Sequence, residues 1–344
     1  MEPVTHALSS LALARVGQRR LPRFGTAMLV VSGVAADLDY ASYFAGASAF
    51  MRFHRTTLHS LAGSALMACV IAIAFCVLDR KWPQKKLSLN SANVPLGFLS
   101  ALAVCAVGAA GHVLLDLASG VGVQLLWPFR AYWTAWTLAT NFDPWILAFL
   151  VAGLLLPILF KLVNEEVTSG QKKPTGQGSA IFTLLLIAGY LGARAHWRSE
   201  AVDLLLSREY HGRVALSADA FPMPSSPLIW RGVVGTDNTL EEVEVPLSRP
   251  GDFDSNSSAT LYKPEDSPAL EAAEKSTSAS QFLVYARVPL ATVRRIEADY
   301  RVEVRDARFP SDDDDPANVF LRIDLDSNSQ IRREEFLFAS SPNP

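Results

Sequence analysis

His112 and Asp116 stand four residues apart in Gly111-His112-Val113-Leu114-Leu115-Asp116, so a helix projects an imidazole and a carboxylate from one face. Their surroundings are Leu, Val, Ala and Gly. An ionisable pair in such a setting costs several kcal/mol unless it meets a partner, a metal ion or water. Other candidates lie elsewhere along the chain. Asp37-Leu38-Asp39 offers two acids that diverge by about 200° on a regular helix. At a helix end, one of them can bind metal while the other orients a ligand histidine or bridges a second ion. His54-Arg55-Thr56-Thr57-Leu58-His59-Ser60 brings two imidazoles and a guanidinium to the start of an apolar run, and His6 lies near the N-terminus. Each group alone has an ordinary reading as a helix cap, a solvated helix end or a polar loop. Together they gather four of the six histidines.

Mixed His/Asp ligation without thiolates suits Zn²⁺, with Mn²⁺ or Fe²⁺ as alternatives, and His6, Asp37, Asp39, His54, His59, His112 and Asp116 suffice for two ions. An ion so held acidifies bound water and polarises a carbonyl or phosphoryl oxygen. Asp39 or Asp116 is then the candidate general base. Arg55, with its planar fork, is the candidate clamp for a substrate phosphate or carboxylate, its alternative role being an interfacial anchor.

The elements that must position these groups are membrane helices. Half of the 344 residues are apolar and only 19% are charged, which disfavours a purely soluble class. Apolar runs dominate up to about Ala195, and the chain beyond Trp197 reads as a polar, soluble domain. Pro3 to Val16 predicts a short helix with Thr5 as its N-cap. Gly25–Ala45, Thr57–Leu78, Val94–Ala118, Pro144–Leu162 and Ile181–Ala193 predict about five spans. Glu2 and His6 precede the first apolar stretch and the arginines follow it, so the start is expected to be retained and not cleaved as a signal peptide. Trp127, Phe129, Tyr132, Trp133, Trp136 and Trp145 have the composition of an interfacial belt.

Positive clusters stay on the cytoplasmic side. With Arg15 to Arg23, Arg80 to Lys86 and Lys161 to Lys173 inside, the polar residues from Asp37 to Asp116 fall near the outer helix ends. His6 can reach the same level. The same count sends the C-terminal domain outside. There Leu228–Val234, Phe282–Val288, Tyr300–Val304 and Val319–Ile323 read as strands, and Pro250–Ser258 and Pro310–Pro316 as exposed loops. A net charge of −3, with acids concentrated at Asp312 to Asp315, gives no reason to expect nucleic acid. Cys69, Cys76 and Cys105 sit inside apolar runs and read as packing residues. His196 and His211 lack ligand-type neighbours and read as surface or juxtamembrane residues.

The order Thr5-His6, Asp37-Leu38-Asp39, His54-Arg55 with His59-Ser60, and Gly-His-Val-Leu-Leu-Asp running on to Leu126-Trp127-Pro128-Phe129 resembles the YdjM-type membrane-bound proteins, described as predicted metal-dependent hydrolases. That family is in turn regarded as distantly similar to zinc-dependent phospholipase C and the P1-type nucleases, which implies phosphoester hydrolysis. The resemblance makes His6, Asp37, His54, His59, His112 and Asp116 the ligands, with Asp39 a ligand or an orienter. Ala36 replaces the usual Pro before the acids, and Thr56 and Leu58 replace the usual Gly and Thr; no ligand is lost.

The sequence thus predicts an α-helical membrane bundle over residues 1–196 and a β-rich extracytoplasmic domain over 197–344, in a bacterial inner or plasma membrane. Its expected function is metal-dependent hydrolysis at the outer membrane–water interface, on a lipid-like or other small phosphoester substrate, with membrane lipid as its surroundings and no protein partner indicated. The alternative is a non-catalytic protein whose metal or polar network staples the bundle while the soluble domain binds a partner. A transporter fits less well, because the polar residues share one level instead of forming a chain across the bilayer.

Overall fold

The computed structural model describes residues 1–82, 96–167, 176–310 and 315–339, without side chains from 160 to 167. Lys85, Lys86, Lys172 and Lys173 of the expected cytoplasmic turns, and Asp312 to Asp314 of the acidic loop, lie outside them. The chain divides into two units, the first formed by Met1–Asp39, Arg55–Phe129 and Ala139–Ala193.

Helix α1 (Pro3–Gly17) starts on a proline, whose missing N–H suits a first helical position. Thr5 is therefore not the cap. It falls in the first turn, hydrogen-bonded to the Glu2 carboxylate. Helix α2 (Gly25–Val34) is followed by a 3-10 helix, Ala35–Ala45, that carries Asp37 and Asp39. After the short α3 (Ala47–Phe53), helix α4 (Leu61–Lys81) is capped by Ser60, whose Oγ accepts from Gly63 N–H at 3.0 Å. Helices α5 (Phe98–Ala118), α6 (Pro144–Val167) and α7 (Gln177–Leu206) complete the helical part.

Three described helices, α4, α5 and α7, are long and apolar enough to cross a membrane. Five spans are not supported. The run Gly25–Ala45 leaves the α-helix after Val34 and carries two acids in the 3-10 helix that follows, and the apolar part described in α6, Pro144–Leu159, is short for a span. Pro157 removes an N–H from α6, which frees a carbonyl one turn back. Ser179 Oγ donates to the Gly153 carbonyl at 2.8 Å, and Arg15 Nη1 donates to that of Leu154 at 2.6 Å.

Helices α2, α4 and α5 share a core of Met28, Ala68, Ile71, Ala72, Ala101 and Cys105. The α2–α5 contact depends on small residues, as helix contacts in lipid often do. A Cβ at Gly108 would collide with Ser32 Oγ and sit 2.6 Å from the Leu29 carbonyl, and one at Gly33 would collide with Ser10 Oγ. Close approach brings the Gly33 carbonyl to the ring of His112, one turn beyond Gly108. Gly108→Val should force α2 and α5 apart at a cost of about 1–3 kcal/mol. A lower melting temperature in detergent, followed by circular dichroism, is the expected result, and an unchanged one would mean the helices part freely.

The second unit comprises Tyr40–His54, Arg130–Leu138 and Arg194–Pro344. After a small hairpin, β1 (Glu209–Tyr210) and β2 (Arg213–Val214), come two antiparallel four-stranded sheets. One runs β3 (Ser217–Met223), β4 (Ser226–Gly235), β5 (Thr239–Pro246), β6 (Ala259–Tyr262); the other has the order β10 (Ile331–Phe338), β9 (Val319–Leu325), β8 (Asp299–Asp306), β7 (Pro289–Ile296). Helices α8 (Pro268–Glu274) and α9 (Thr277–Tyr285) lie between β6 and β7 in the chain. Trp230 is fully buried, in a core with Leu205, Tyr210 and Val245. Leu228–Val234, Tyr300–Val304 and Val319–Ile323 form strands as expected. Phe282–Val288 does not. Ser276 caps a helix by accepting from Ala279 N–H, so Phe282 to Tyr285 close α9, and a strand starts only at Pro289.

Glu241 of β5 is fully buried and accepts from the hydroxyls of Thr239, Ser258 and Thr260, each at 2.8 Å. Burial opposes its ionisation, but these hydrogen bonds and His211 outweigh it and hold the carboxyl below its ordinary range. A depressed carboxyl stabilises the fold above the ordinary glutamate range and loses that contribution as pH falls through it. Protection factors at β5, measured against the intrinsic exchange rate at each pH, should therefore fall on acidification. Glu241→Gln should flatten that dependence while destabilising the unit by about 1–3 kcal/mol at neutral pH; a variant as acid-sensitive as the parent would assign the effect elsewhere.

Candidate metal centre

In the first unit, five of the expected ligands converge. His6 comes from α1, Asp37 from the 3-10 helix, His59 from the turn before α4, and His112 and Asp116 from α5. Asp116 is the hub. Its Oδ2 lies 3.1 Å from His59 Nε2 and 3.2 Å from His112 Nε2, and its Oδ1 lies 3.4 Å from His6 Nε2. Asp37 Oδ1 stands 3.8 Å from His112 Nε2 and 3.9 Å from His59 Nε2. The rings of His6 and His112 stack at 3.8 Å. Two groupings bring one ligand atom from each member within 4.8 Å of the others: His6, Asp37, His112 and His59, His112, Asp116.

The tautomer of His112 gives the fit test. Its Nδ1 lies 2.8 Å from the Gly33 carbonyl, which can only accept, so Nδ1 carries the proton. In the neutral ring, Nε2 then points a lone pair at carboxylate oxygens, an arrangement that calls for a cation. Both nitrogens of His6, His112 Nε2, Asp37 Oδ2 and Asp116 Oδ2 are buried without a well-formed hydrogen bond. A tetrahedral ion with ligands at about 2.0–2.2 Å sets them about 3.3–3.6 Å apart, within the range seen here. Burial alone would lower the pKa of His59, yet hydrogen bonds to Asp116 and Asp39 push it up to about 9. The residues fit a divalent ion. Since both groupings use His112 and only its Nε2 is available, they are alternatives at that ring.

Asp39 and Arg55 stand beside the ligands. Asp39 Oδ2 accepts from Arg55 N–H at 2.9 Å and lies 3.0 Å from His59 Nδ1, the nitrogen facing away from Asp116. This is the position of an orienting carboxylate. Arg55 has a left-handed backbone at φ 57°, unusual for a bulky residue. Its side chain is 3% exposed and reaches Ser119 Oγ at 2.9 Å, Asn141 Oδ1 at 3.1 Å and Asp116 Oδ1 at 3.3 Å. The Met1 amine also lies against Asp116 Oδ1. His54 belongs to the second unit, where its ring stacks on Phe50 at 4.3 Å and meets Tyr40 edge-on at 4.8 Å; neither grouping includes it.

Sequence reasoning did not find Gly33, Ser119 or Asn141. Ser119 had a usable signal, three residues after Asp116, whose carbonyl its hydroxyl caps at 2.8 Å. A backbone carbonyl and an asparagine 86 positions from Arg55 had none.

Residues 1–201 match the YdjM inner membrane protein family, a stretch that carries every residue of this cluster. The chain belongs to that family. No curated protein and no solved structure matches it. Membership in the YdjM family agrees with α4, α5 and α7 in making this a membrane protein of the inner membrane, its apolar helix surfaces in contact with lipid. The match ends at Ala201, so the sheets of the second unit lie beyond it.

Proposed function

We propose that this protein is a metal-dependent hydrolase acting at the outer membrane–water interface on a lipid-like or phosphoester substrate. One observation supports it above the rest: three imidazoles and two carboxylates from four elements meet with Nε2 atoms and carboxylate oxygens 3.1–3.9 Å apart, and both nitrogens of His6, His112 Nε2 and Asp37 Oδ2 are buried without a hydrogen bond. Zn²⁺, or alternatively Mn²⁺ or Fe²⁺, would be held by His112 together with His59 and Asp116, or with His6 and Asp37, and would supply Lewis acidity and acidified water. Asp116, in contact with three imidazoles and Arg55, suits a ligand, and Asp39 suits a group that orients His59. Asp37 has the most exposed side chain of the three acids, at 8%, and an Oδ2 without a hydrogen bond. With the ion on His59, His112 and Asp116, we therefore give Asp37 the proton-accepting role in place of Asp39 or Asp116. Arg55 keeps a buried Nε without a partner, a donor for a substrate oxygen. The Arg23–Asp79 pair at 2.6 Å marks the basic end of α4, opposite His59. With that end cytoplasmic, the cluster faces the outer leaflet. Gln177, at the start of α7, donates to the Val16 carbonyl at 2.8 Å, beside the arginine cluster, so α7 runs outward from the cytoplasmic end and the β-rich unit is extracytoplasmic.

The near-complete burial of His6, His59, His112 and Asp116 favours one other reading, a closed metal site that staples the bundle. Elemental analysis of the purified full chain in detergent, paired with hydrolysis of bis(p-nitrophenyl) phosphate and of phospholipid in mixed micelles, separates the two. The hydrolase reading expects bound metal, turnover, and loss of both in His112→Ala/Asp116→Ala. Metal without turnover on any of these substrates would leave the staple. Full metal content in the double variant would remove the site altogether.

A further inference from the structure

At the other end of the first unit, helices α1, α2 and α6 border a groove that the candidate metal centre does not use. Leu8, Leu11, Ala14, Leu154, Leu155 and Ile158 line it with hydrocarbon, and Arg15, Gln18 and Thr26 close it with polar groups. It holds about 370 Å³. Leu155 is 51% exposed and Ile158 44%, so the apolar wall is open along its length. Arg15 is held in place by its bond to the Leu154 carbonyl. A second hollow over Gln18, Leu21, Pro22, Phe24 and Thr26 continues from it around the α1–α2 turn. Arg19 and Arg20, in that turn, are exposed and have no carboxylate partner among the described residues, whereas Arg23 is paired with Asp79.

We propose that this groove binds one anionic phospholipid, with an acyl chain along the leucines and its phosphate at Arg15, Arg19 and Arg20. Charge complementarity selects the occupant. A neutral lipid or a detergent tail satisfies the apolar wall and leaves the arginines unanswered, and a water-soluble anion does the reverse. Arg15 lines the apolar slot, and Arg19 and Arg20 follow it within five residues in the turn that carries the second hollow; in a membrane protein this match of cations to hydrocarbon suits a molecule with a negative head on a hydrocarbon chain. Arginine suits the phosphate because its fork donates two parallel hydrogen bonds. The inference is independent of any hydrolytic activity, since it uses none of the cluster residues.

The test is native mass spectrometry and thermal shift on the delipidated full chain in detergent, with phosphatidylglycerol, phosphatidylcholine and inorganic phosphate as separate probes. Phosphatidylglycerol should bind at one equivalent and raise the melting temperature, and the other two should not. Arg19→Gln/Arg20→Gln should weaken phosphatidylglycerol binding about 30-fold, at roughly fivefold for each cation near an anionic headgroup. Ile158→Trp, which fills the slot and leaves every arginine in place, should weaken it as well. Equal affinity for phosphatidylcholine, wild-type affinity in the arginine variant, or full stabilisation by inorganic phosphate alone would overturn the proposal.

Discussion

Asp116→Ala should reduce bound metal to about a tenth or less of the wild-type content and lower the melting temperature of the purified protein. Two separate losses produce these effects. Asp116 meets His6, His59 and His112 together, so its removal takes away a proposed ligand and the negative charge that favours a cation there. It also strips Arg55, 3% exposed, of its carboxylate partner. Breaking a buried ion pair from one side costs about 3–5 kcal/mol, because the remaining charge stays buried. Asp116→Ala/Arg55→Met separates the two losses, since it removes the stranded charge without restoring a ligand. The double variant should regain most of the stability and none of the metal. If metal content returned with stability, Asp116 would be acting through packing and not as a ligand.

The parts of this arrangement that were legible in the sequence are those that a helix or a short motif fixes locally. The i, i+4 spacing of His112 and Asp116 survives into the structure because both lie on α5, where that spacing stacks side chains on one face. Convergence of residues distant in sequence could be anticipated only through the shared depth of helix ends, and that argument depended on the basic clusters together with the count of spans between them. The number itself was misread. Hydropathy registers the apolar composition of Gly25–Ala45, but it does not register that the α-helix stops at Val34 and tightens into a 3-10 helix. That tightening delivers Asp37 and Asp39 to His112 and His59. Adjacent residues proved hardest to separate. His54 is extended at φ −68° and ψ 130°, and Arg55 is left-handed, so the chain turns sharply and the two side chains enter different surroundings. No glycine marks the turn. In the β-rich unit, aromatic and branched residues made Phe282–Val288 read as a strand, whereas the Ser276 cap starts a helix that runs through Tyr285.

Asp39→Ala should weaken metal binding about 10–100-fold while leaving every ligand of the two groupings in place, the effect expected of a carboxylate behind a ligating histidine. Asp39 does two things at once. It fixes the ring of His59 through Nδ1, which presents Nε2 to the cluster, and it accepts from the backbone N–H of Arg55, which helps to hold that residue at φ 57°. A left-handed backbone costs a bulky residue about 1–3 kcal/mol, so losing the hydrogen bond should let the His54–Arg55 turn relax and carry the guanidinium away from Asp116. Arg55→Gly removes the backbone cost together with the guanidinium, and Asp39→Asn keeps an acceptor for the N–H while losing the charge on His59. Competition with a chromophoric chelator measures all three. Asp39→Asn should fall between wild type and Asp39→Ala, because it retains the turn and weakens only the hold on the imidazole. Asp39→Ala binding metal as tightly as wild type would show that His59 needs no support from behind, and would leave Asp39 only the backbone to organise.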